Sequence, residues 1–171
     1  GTAPSSPNLG DVVTTDGNLQ FYNGSGWVNL SGSSPDASDS GFTARVTSNR
    51  ASHLPNITDT TIYFDVEDFD INNEFDISTG VFTSTNGGYY LVNGSAGVAM
   101  TGTSTYATSK LFINNTQYLI GTQDINNSSL QLYKSTFSVV VLLSAGDNLT
   151  MTAYHNSGVA EELKANSHFS A

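Results

Sequence analysis

The segment DVEDFDINNEFD, residues 65–76, carries six of the fifteen acidic residues of the chain. Alternating carboxylate and amide oxygens are typical of a calcium-binding loop. The candidate calcium ligands are Asp68, Asp70, Asn72, Glu74 and Asp76. The full EF-hand pattern is absent, because Asn73 stands where the loop needs glycine and Thr79 stands where it needs a bidentate glutamate. The alternative to a calcium site is a solvated acidic loop in which Asp76 makes a local turn hydrogen bond.

Catalytic chemistry finds little support in the pattern of titratable residues. His53, His155 and His168 fit neither an H-E-x-x-H zinc motif nor the surroundings of a G-x-S-x-G serine. One histidine near a threefold axis would still make a three-histidine metal site in a trimer; the alternative is three isolated surface or strand-end histidines. A glycosidase needs two placed carboxylates, and no spacing favours such a pair among the many acidic residues. The sequence predicts that the chain is not an enzyme.

Exposed aromatic rings beside amide and hydroxyl groups are typical of sugar-binding sites. The candidates near loops or strand ends are Tyr106, Tyr118 and Tyr133. Tyr106 lies in the middle of the polar segment TGTSTYATS, residues 101–109, and has no evident core to enter. For Tyr118 and Tyr133 the alternative is a place in the core or in a subunit interface, with the hydroxyl reaching water.

The charge of the chain limits its partners. The net charge is −10 and only five residues are basic, so we expect no binding to nucleic acid or to anionic lipid. The longest apolar run, VVVLL at 139–143, is too short to cross a bilayer, and membrane insertion is not expected. Cysteine is absent, which excludes disulfides and thiolate zinc sites. Residues 1–8 lack the regions of a signal peptide, and we expect them to lie inside a longer protein.

The elements that must position these residues are strands. Apolar and polar residues alternate along much of the chain after Gly41, most clearly at residues 137–143. Residues 62–66 also alternate, which predicts a strand there and a loop over 67–76. Only GVAEELKAN, residues 158–166, has helical character. The pattern predicts an all-β antiparallel sandwich or jelly roll, with one buried and one solvated face to each sheet.

The sequence predicts three parts. Residues 1–30 contain three short β runs, the first two separated by Asp16-Gly17, and form a small β-meander. Residues 31–40, SGSSPDASDS, are a polar linker, and residues 41–171 are the main domain.

The meander is expected to have one apolar face. Leu19 and Phe21 point to that face, and Trp27 is expected to cover it. A sheet of three short strands is too small to be stable alone, so we expect it to lean on neighbouring segments or other chains.

Short motifs in residues 41–171 occur in the order found in one family. The motifs are an opening F-x-A, an aromatic-Asp strand end, an Asn-rich loop, T-G-x-F-T, a G-x-Y-Y pattern, L-x-x-G-[DE]-x-[VL] and a closing S-x-F-S. In this sequence they are Phe42-Thr43-Ala44, Phe64-Asp65, Asn72-Asn73, Thr79-Gly80-Val81-Phe82-Thr83, Gly87-Gly88-Tyr89-Tyr90, Leu143-Ser144-Ala145-Gly146-Asp147-Asn148-Leu149 and Ser167-His168-Phe169-Ser170. The domain resembles the globular head of complement C1q and its relatives in the tumour-necrosis-factor-like jelly-roll superfamily.

The resemblance implies a ten-stranded jelly roll that forms a compact homotrimer, usually at the tip of a stalk. Family members bind other proteins, glycans or cell surfaces and are not enzymes. Calcium is found in some relatives, and loop carboxylates repeated threefold could gather around an axial ion. The family usually continues past S-x-F-S, whereas this sequence stops at Ala171, so we expect the last strand to be short.

Residues 9–30 resemble short units that precede receptor-binding tips in phage tail fibres and bacterial surface fibres. The resulting hypothesis is an extracellular, homotrimeric fibre tip, on a bacterial surface or a virion, that binds a cell-surface glycan or protein receptor. A glycan is favoured because Asn, Ser, Thr and Tyr are abundant and cations are few. The alternative is a purely structural cap that trimerises and folds the fibre and binds no ligand.

Overall fold

The computed structural model describes residues 4–15, 18–29, 40–101, 106–122 and 131–171. Within these ranges the secondary structure consists of sixteen strands and no helix. In chain order the strands are β1 (Val12–Thr15), β2 (Asn18–Tyr22), β3 (Trp27–Asn29), β4 (Phe42–Arg45), β5 (Arg50–Leu54), β6 (Thr60–Thr61), β7 (Val66–Asp70), β8 (Phe75–Asp76), β9 (Val81–Thr83), β10 (Gly88–Met100), β11 (Ala107–Ile113), β12 (Thr116–Ile120), β13 (Gln131–Leu143), β14 (Asn148–His155), β15 (Glu161–Leu163) and β16 (His168–Ser170). The chain divides into two compact units, residues 1–38 and 39–171.

The first unit holds a three-stranded antiparallel sheet in the order β1-β2-β3. The predicted Asp16-Gly17 turn and, apart from Ser40, the predicted linker 31–40 lie outside the described residues. Phe21 pairs in register with Val12 and with Val28, so these side chains share one face with Leu19. Val12, Leu19 and Val28 are exposed on that face.

Trp27 lies on the opposite face of this small sheet. It pairs with Tyr22, and the two ring centroids are 5.6 Å apart. The expectation that Trp27 covers Leu19 and Phe21 is therefore wrong. The physical reason is the two-residue period of a strand, which sends Phe21 and Tyr22 to opposite faces.

The second unit is a sandwich of two antiparallel sheets. In the seven-stranded sheet, β13 pairs along the whole of β10 on one edge, and β16 and β15 pair with β10 on the other. This sheet continues from β16 to β4 and β7, and from β15 to β5. The six-stranded sheet has the order β12-β11-β14-β9-β8, and β6 also pairs with β14.

An aromatic cluster fills the space between the sheets at one end. The Phe42 ring stacks on Phe75 at 4.1 Å between centroids and on Phe82 at 5.0 Å, and it meets the edge of Phe169 at 5.1 Å. Phe42 and Phe169 come from β4 and β16 of one sheet, whereas Phe75 and Phe82 come from β8 and β9 of the other. The cluster therefore joins the two sheets directly. The predicted all-β sandwich is confirmed, and the last strand, β16, is short as expected but central.

The predicted strand 62–66 is displaced in the structure. Thr61 pairs with β14 in one sheet, and Val66 pairs with β4 in the other, so residues 62–65 cross between the sheets. The alternation that suggested a strand comes from Ile62 and Phe64, which are buried during the crossing. The predicted loop 67–76 instead contains most of β7 and all of β8.

The helical character of residues 158–166 is also overruled. This segment contains β15, in which Glu161 pairs with Leu54 and Leu163 pairs with Arg50. Leu163 is fully buried, and the Glu161 carboxylate accepts hydrogen bonds from the Thr101 amide at 2.9 Å. Tertiary burial outweighs the weak helix preference of a short segment.

Gly94 on β10 is required by close packing, and this requirement generates a test. An added methyl group at Gly94 would overlap the Phe137 ring and come within 2.9 Å of Met151 Sδ. Overpacking of this kind costs roughly 1–3 kcal/mol, so Gly94→Ala is expected to lower the free energy of unfolding by at least about 2 kcal/mol in urea titrations. Gly88→Ala is the matched control, because a methyl group at Gly88 on the same strand meets nothing within 4 Å. Equal effects of the two substitutions would contradict this packing.

Candidate functional site

The acidic segment runs through β7 and the following turn to β8, and the four candidate carboxylates Asp68, Asp70, Glu74 and Asp76 already have partners within the chain. Asp68 forms an exposed ion pair with Arg45 at 3.0 Å. The two oxygens of Asp70 accept hydrogen bonds from the backbone amides of Glu74 at 2.9 Å and Phe75 at 2.8 Å. Asp70 thereby closes the turn between β7 and β8.

Glu74 is a buried carboxylate that braces the sandwich. It accepts hydrogen bonds from the Ser40 hydroxyl at 2.5 Å, the Thr85 amide at 2.6 Å and the Thr85 hydroxyl at 2.5 Å. Burial by itself raises the pKa of Glu74, but the hydrogen bonds from Ser40 and Thr85 outweigh burial and hold the pKa below its ordinary value. Ser40 precedes β4 in one sheet and Thr85 follows β9 in the other, so this carboxylate links the two sheets.

Of the remaining predicted ligands, Asp76 ends β8 and Asn72 lies in the turn before that strand. Asp76 accepts hydrogen bonds from the Ser78 amide at 2.8 Å and the Ser78 hydroxyl at 2.6 Å, and these bonds lower its pKa. Asn72 lies in the β7–β8 turn beside Asn73, whose φ is 55°. In the described ranges no three His, Asp or Glu residues are grouped so that they could hold a metal ion. The calcium hypothesis stays a prediction for an ion shared between copies, which would make the oligomer sensitive to EDTA.

The three candidate tyrosines lie on different elements. Tyr106 precedes β11, is half-buried and stacks on Tyr154 with centroids 5.6 Å apart. A hydrogen bond with the Tyr154 side chain raises the pKa of Tyr106, and burial makes the next largest contribution in the same direction. Tyr118 is exposed on β12 of the same sheet. Tyr133 is only 3% exposed and belongs to the core, which does not suit a ring that stacks on a sugar.

The three histidines do not form one cluster. His155 is fully buried; its Nε2 donates to the Leu54 carbonyl at 2.9 Å, and its Nδ1 lies 3.1 Å from the Ser157 hydroxyl oxygen. His53 meets the edge of the Tyr63 ring, and burial followed by the nearby positive charge of Arg50 lowers its pKa.

An apolar sheet face was not predicted from the sequence. On the outer side of the seven-stranded sheet, Tyr89 pairs with Leu142 and Leu91 pairs with Val140. These four residues, here called the apolar sheet face, are exposed by 80%, 66%, 58% and 57%, respectively. Phe69 on β7 is exposed on the same side of this sheet. It pairs with Thr43, Thr43 pairs with Ser170, and Ser170 pairs with Asn93, which points to the same side of β10 as Leu91. Contiguous exposed apolar surface of this kind marks interaction sites.

The sequence does contain a signal for this face. The runs YYLV at 89–92 and VVVLL at 139–143 are apolar at consecutive positions. Because alternate residues point to opposite faces, such runs place apolar side chains on both faces of the sheet. One face enters the core, and the other must be exposed or be covered by a partner.

The family model for the C1q domain matches residues 41–171. The chain belongs to the C1q domain family. The fold matches the globular domain of zebrafish complement 1qA protein with a TM-score of 0.53 and 17% sequence identity, covering 78% of this chain and 96% of that one. The comparison with curated proteins finds no match.

Membership of the C1q family confirms the predicted resemblance and the jelly-roll fold. C1q domains are a non-enzymatic type of recognition and structural domain that typically trimerises, binds ligands and is secreted or extracellular. No helix that could cross a bilayer is found in the part of this C1q domain chain that the structure describes.

The hydrogen bonds that the Glu74 carboxylate accepts from Ser40 and Thr85 predict a pH dependence of stability. Because its pKa in the folded chain lies below the ordinary value of 4.5, the stabilisation is fully present above that value and is lost as pH falls through the lower, folded pKa. Glu74→Gln is expected to lower the free energy of unfolding by about 1–2 kcal/mol near neutral pH, with a smaller difference from wild type near about pH 3. Urea titrations at both pH values measure this difference.

Glu67→Gln is the control for Glu74→Gln. Glu67 is exposed on β7, and the substitution is expected to change stability by less than about 0.5 kcal/mol at either pH. A Glu74→Gln deficit that is the same at both pH values would contradict the role of the ionised carboxylate.

Proposed function

We propose that this chain is the homotrimeric receptor-binding tip of a bacterial or phage surface fibre and that it binds a cell-surface glycan outside the cell. The observation that carries the proposal is the apolar sheet face on a domain of the C1q family. C1q domains typically trimerise and bind ligands, and the exposed apolar surface gives this chain a physical reason to do so.

The partner of the apolar sheet face is another copy of the same chain. The four residues of the face are uncharged, and the neighbouring in-register pair Asn93 and Ser138 is polar but neutral. Contact between two copies through this face would remove apolar area from water without burying a charge. Such association can proceed although each chain carries a net charge of −10, because the four residues of the face carry no charge and salt screens more distant charges.

The first unit supports a place in a fibre. Its three-stranded sheet is too small to be stable alone, and it exposes Val12, Leu19 and Val28 on one face. In a trimeric shaft the three small sheets would bury these faces against one another. This arrangement agrees with the resemblance of residues 9–30 to fibre units.

Avidity is the proposed mechanism of recognition. A trimer presents three identical sites on one rigid head, so a weak interaction with one glycan becomes strong attachment to a surface that displays many copies. The few cations of the described residues are mostly paired, as Arg45 is with Asp68 and Arg50 with Asp65, so they are not free to bind an anionic ligand. Recognition is therefore expected to depend on neutral hydrogen-bonding groups.

The alternative function is a structural cap without a ligand. It is favoured if the apolar sheet face serves only to assemble the chains. A glycan array probed with wild type and Tyr106→Ala separates the two functions. Receptor binding predicts bound glycans for wild type and at least about tenfold weaker binding for Tyr106→Ala, with the trimer intact. A blank array with well-folded trimer would contradict glycan recognition and support the cap.

The assembly hypothesis predicts that a charge on the apolar sheet face breaks the trimer. Val140→Asp would bury an unpaired carboxylate in each interface, at a cost on the order of 3 kcal/mol, so the mass from sedimentation equilibrium is expected to fall towards that of one chain. The circular dichroism of the strands should not change, because Val140 is 57% exposed in the separate chain.

Val159→Asp is the matched control for this substitution. Val159 is 47% exposed in the loop between β14 and β15, away from the apolar sheet face. The Val159→Asp chain should sediment like wild type. An unchanged trimer in Val140→Asp would contradict the assignment of the interface.

A further inference from the structure

A groove crosses the outer side of the six-stranded sheet. The apolar sheet face lies on the other sheet of the sandwich. It has a volume of about 330 Å³ and is lined by residues on or beside β6, β9, β11 and β14. This volume lies at the lower end of the range of about 300–1,000 Å³ for small-molecule sites. If the chains assemble through the seven-stranded sheet, the groove stays accessible in each copy.

The lining of the groove combines hydroxyl, amide and aromatic groups. Thr61, Thr150 and Asn115 supply groups that both donate and accept hydrogen bonds. Tyr63 and Phe112 supply aromatic rings beside them, with the Tyr63 ring exposed. A ligand that carries hydroxyl groups around an apolar C–H face matches this mixture, and pyranose sugars have that character.

Thr152 gives an independent indication of a ligand. It is 5% exposed, lies on the groove side of β14 between Lys110 and Thr61, and its hydroxyl has no hydrogen-bond partner among the described residues. Buried polar groups nearly always have partners, so an unpaired hydroxyl in the lining calls for an explanation. A ligand hydroxyl that enters the groove would supply the missing partner.

The charges beside the groove cancel. The carboxylate of Asp59, which lines the groove, pairs with Lys110 Nζ at 2.6 Å. The same Nζ lies 4.4 Å from the centroid of the Tyr154 ring, on which Tyr106 stacks. Among the described residues, the groove therefore offers no unpaired cation to an anionic sugar.

We infer that this groove is a binding site for a neutral saccharide, with Thr152 as a hydrogen-bonding partner and Tyr63 as a stacking surface. The inference rests on the proposed glycan recognition and adds its place and its ligand class. Three such grooves on one trimer would supply the repeated sites that avidity requires.

Binding of maltotriose, lactose and triacetylchitotriose to the intact chain tests the inference, with sialyllactose as the anionic counterpart. We expect at least one neutral sugar to bind in calorimetric titrations and to bind better than sialyllactose. Thr152→Val keeps the shape of the side chain but removes the hydroxyl; it is expected to weaken that binding about tenfold. The melting temperature of this variant should stay equal or rise, because no hydrogen bond within the chain is lost.

Thr116→Val is the matched control, since Thr116 is exposed on β12 of the same sheet and does not line the groove. It should bind sugar as wild type does. Neutral sugar binding that survives in both Thr152→Val and Tyr63→Ala would overturn the groove as the site while leaving glycan recognition standing. Preferred binding of sialyllactose would overturn the neutral ligand class. Absence of all binding by well-folded trimer would contradict both the groove and the proposed glycan function.

Discussion

The aromatic cluster around Phe42 and Phe169 is the contact on which the rest of the domain depends. It joins strands of two to four residues, β4, β8, β9 and β16, whose own ladders are too short to fix their positions. Phe169 on β16 also contacts Phe137 of its own sheet and Phe75 of the other sheet, so rings from both sheets meet at one strand. Aromatic pairs add about 0.5–1.5 kcal/mol each beyond the area that they bury. The buried Glu74 carboxylate reinforces the same end of the sandwich through Ser40 and Thr85.

A constraint on the outer surfaces follows from this core. The inner face of β10 and β13 is committed to the sandwich, yet residues 89–92 and 139–143 remain apolar on the outer side. That side is therefore suited to covering by other copies. The outer side of the six-stranded sheet instead presents threonines, an amide and aromatic rings. The two outer faces thus differ in chemistry, one suited to assembly and one to recognition of a polar ligand.

Most of the fold could be predicted from the sequence, because alternation and the ordered motifs report burial directly. Phe42, Phe82 and Phe169 all enter the core. The errors arose where local pattern and tertiary context diverge. Apolar and polar residues alternate at 62–65 because Ile62 and Phe64 are buried where the chain crosses between the sheets. Residues 158–166 have helical character in sequence, but they contain β15, which pairs with β5 and β10. The candidate sites were harder to predict, because the partners of Glu74 lie 34 and 11 residues away and the groove needs four separate strands.

The mass of the whole chain in solution tests the central claim, which is that this C1q domain forms a trimer through its apolar outer face. Light scattering over a range of protein concentrations at neutral pH measures this mass. The account predicts three times 18.1 kDa, about 54 kDa. A mass of 18.1 kDa throughout the range would show that the apolar sheet face stays exposed, and it would contradict the assembly and the avidity that depends on it.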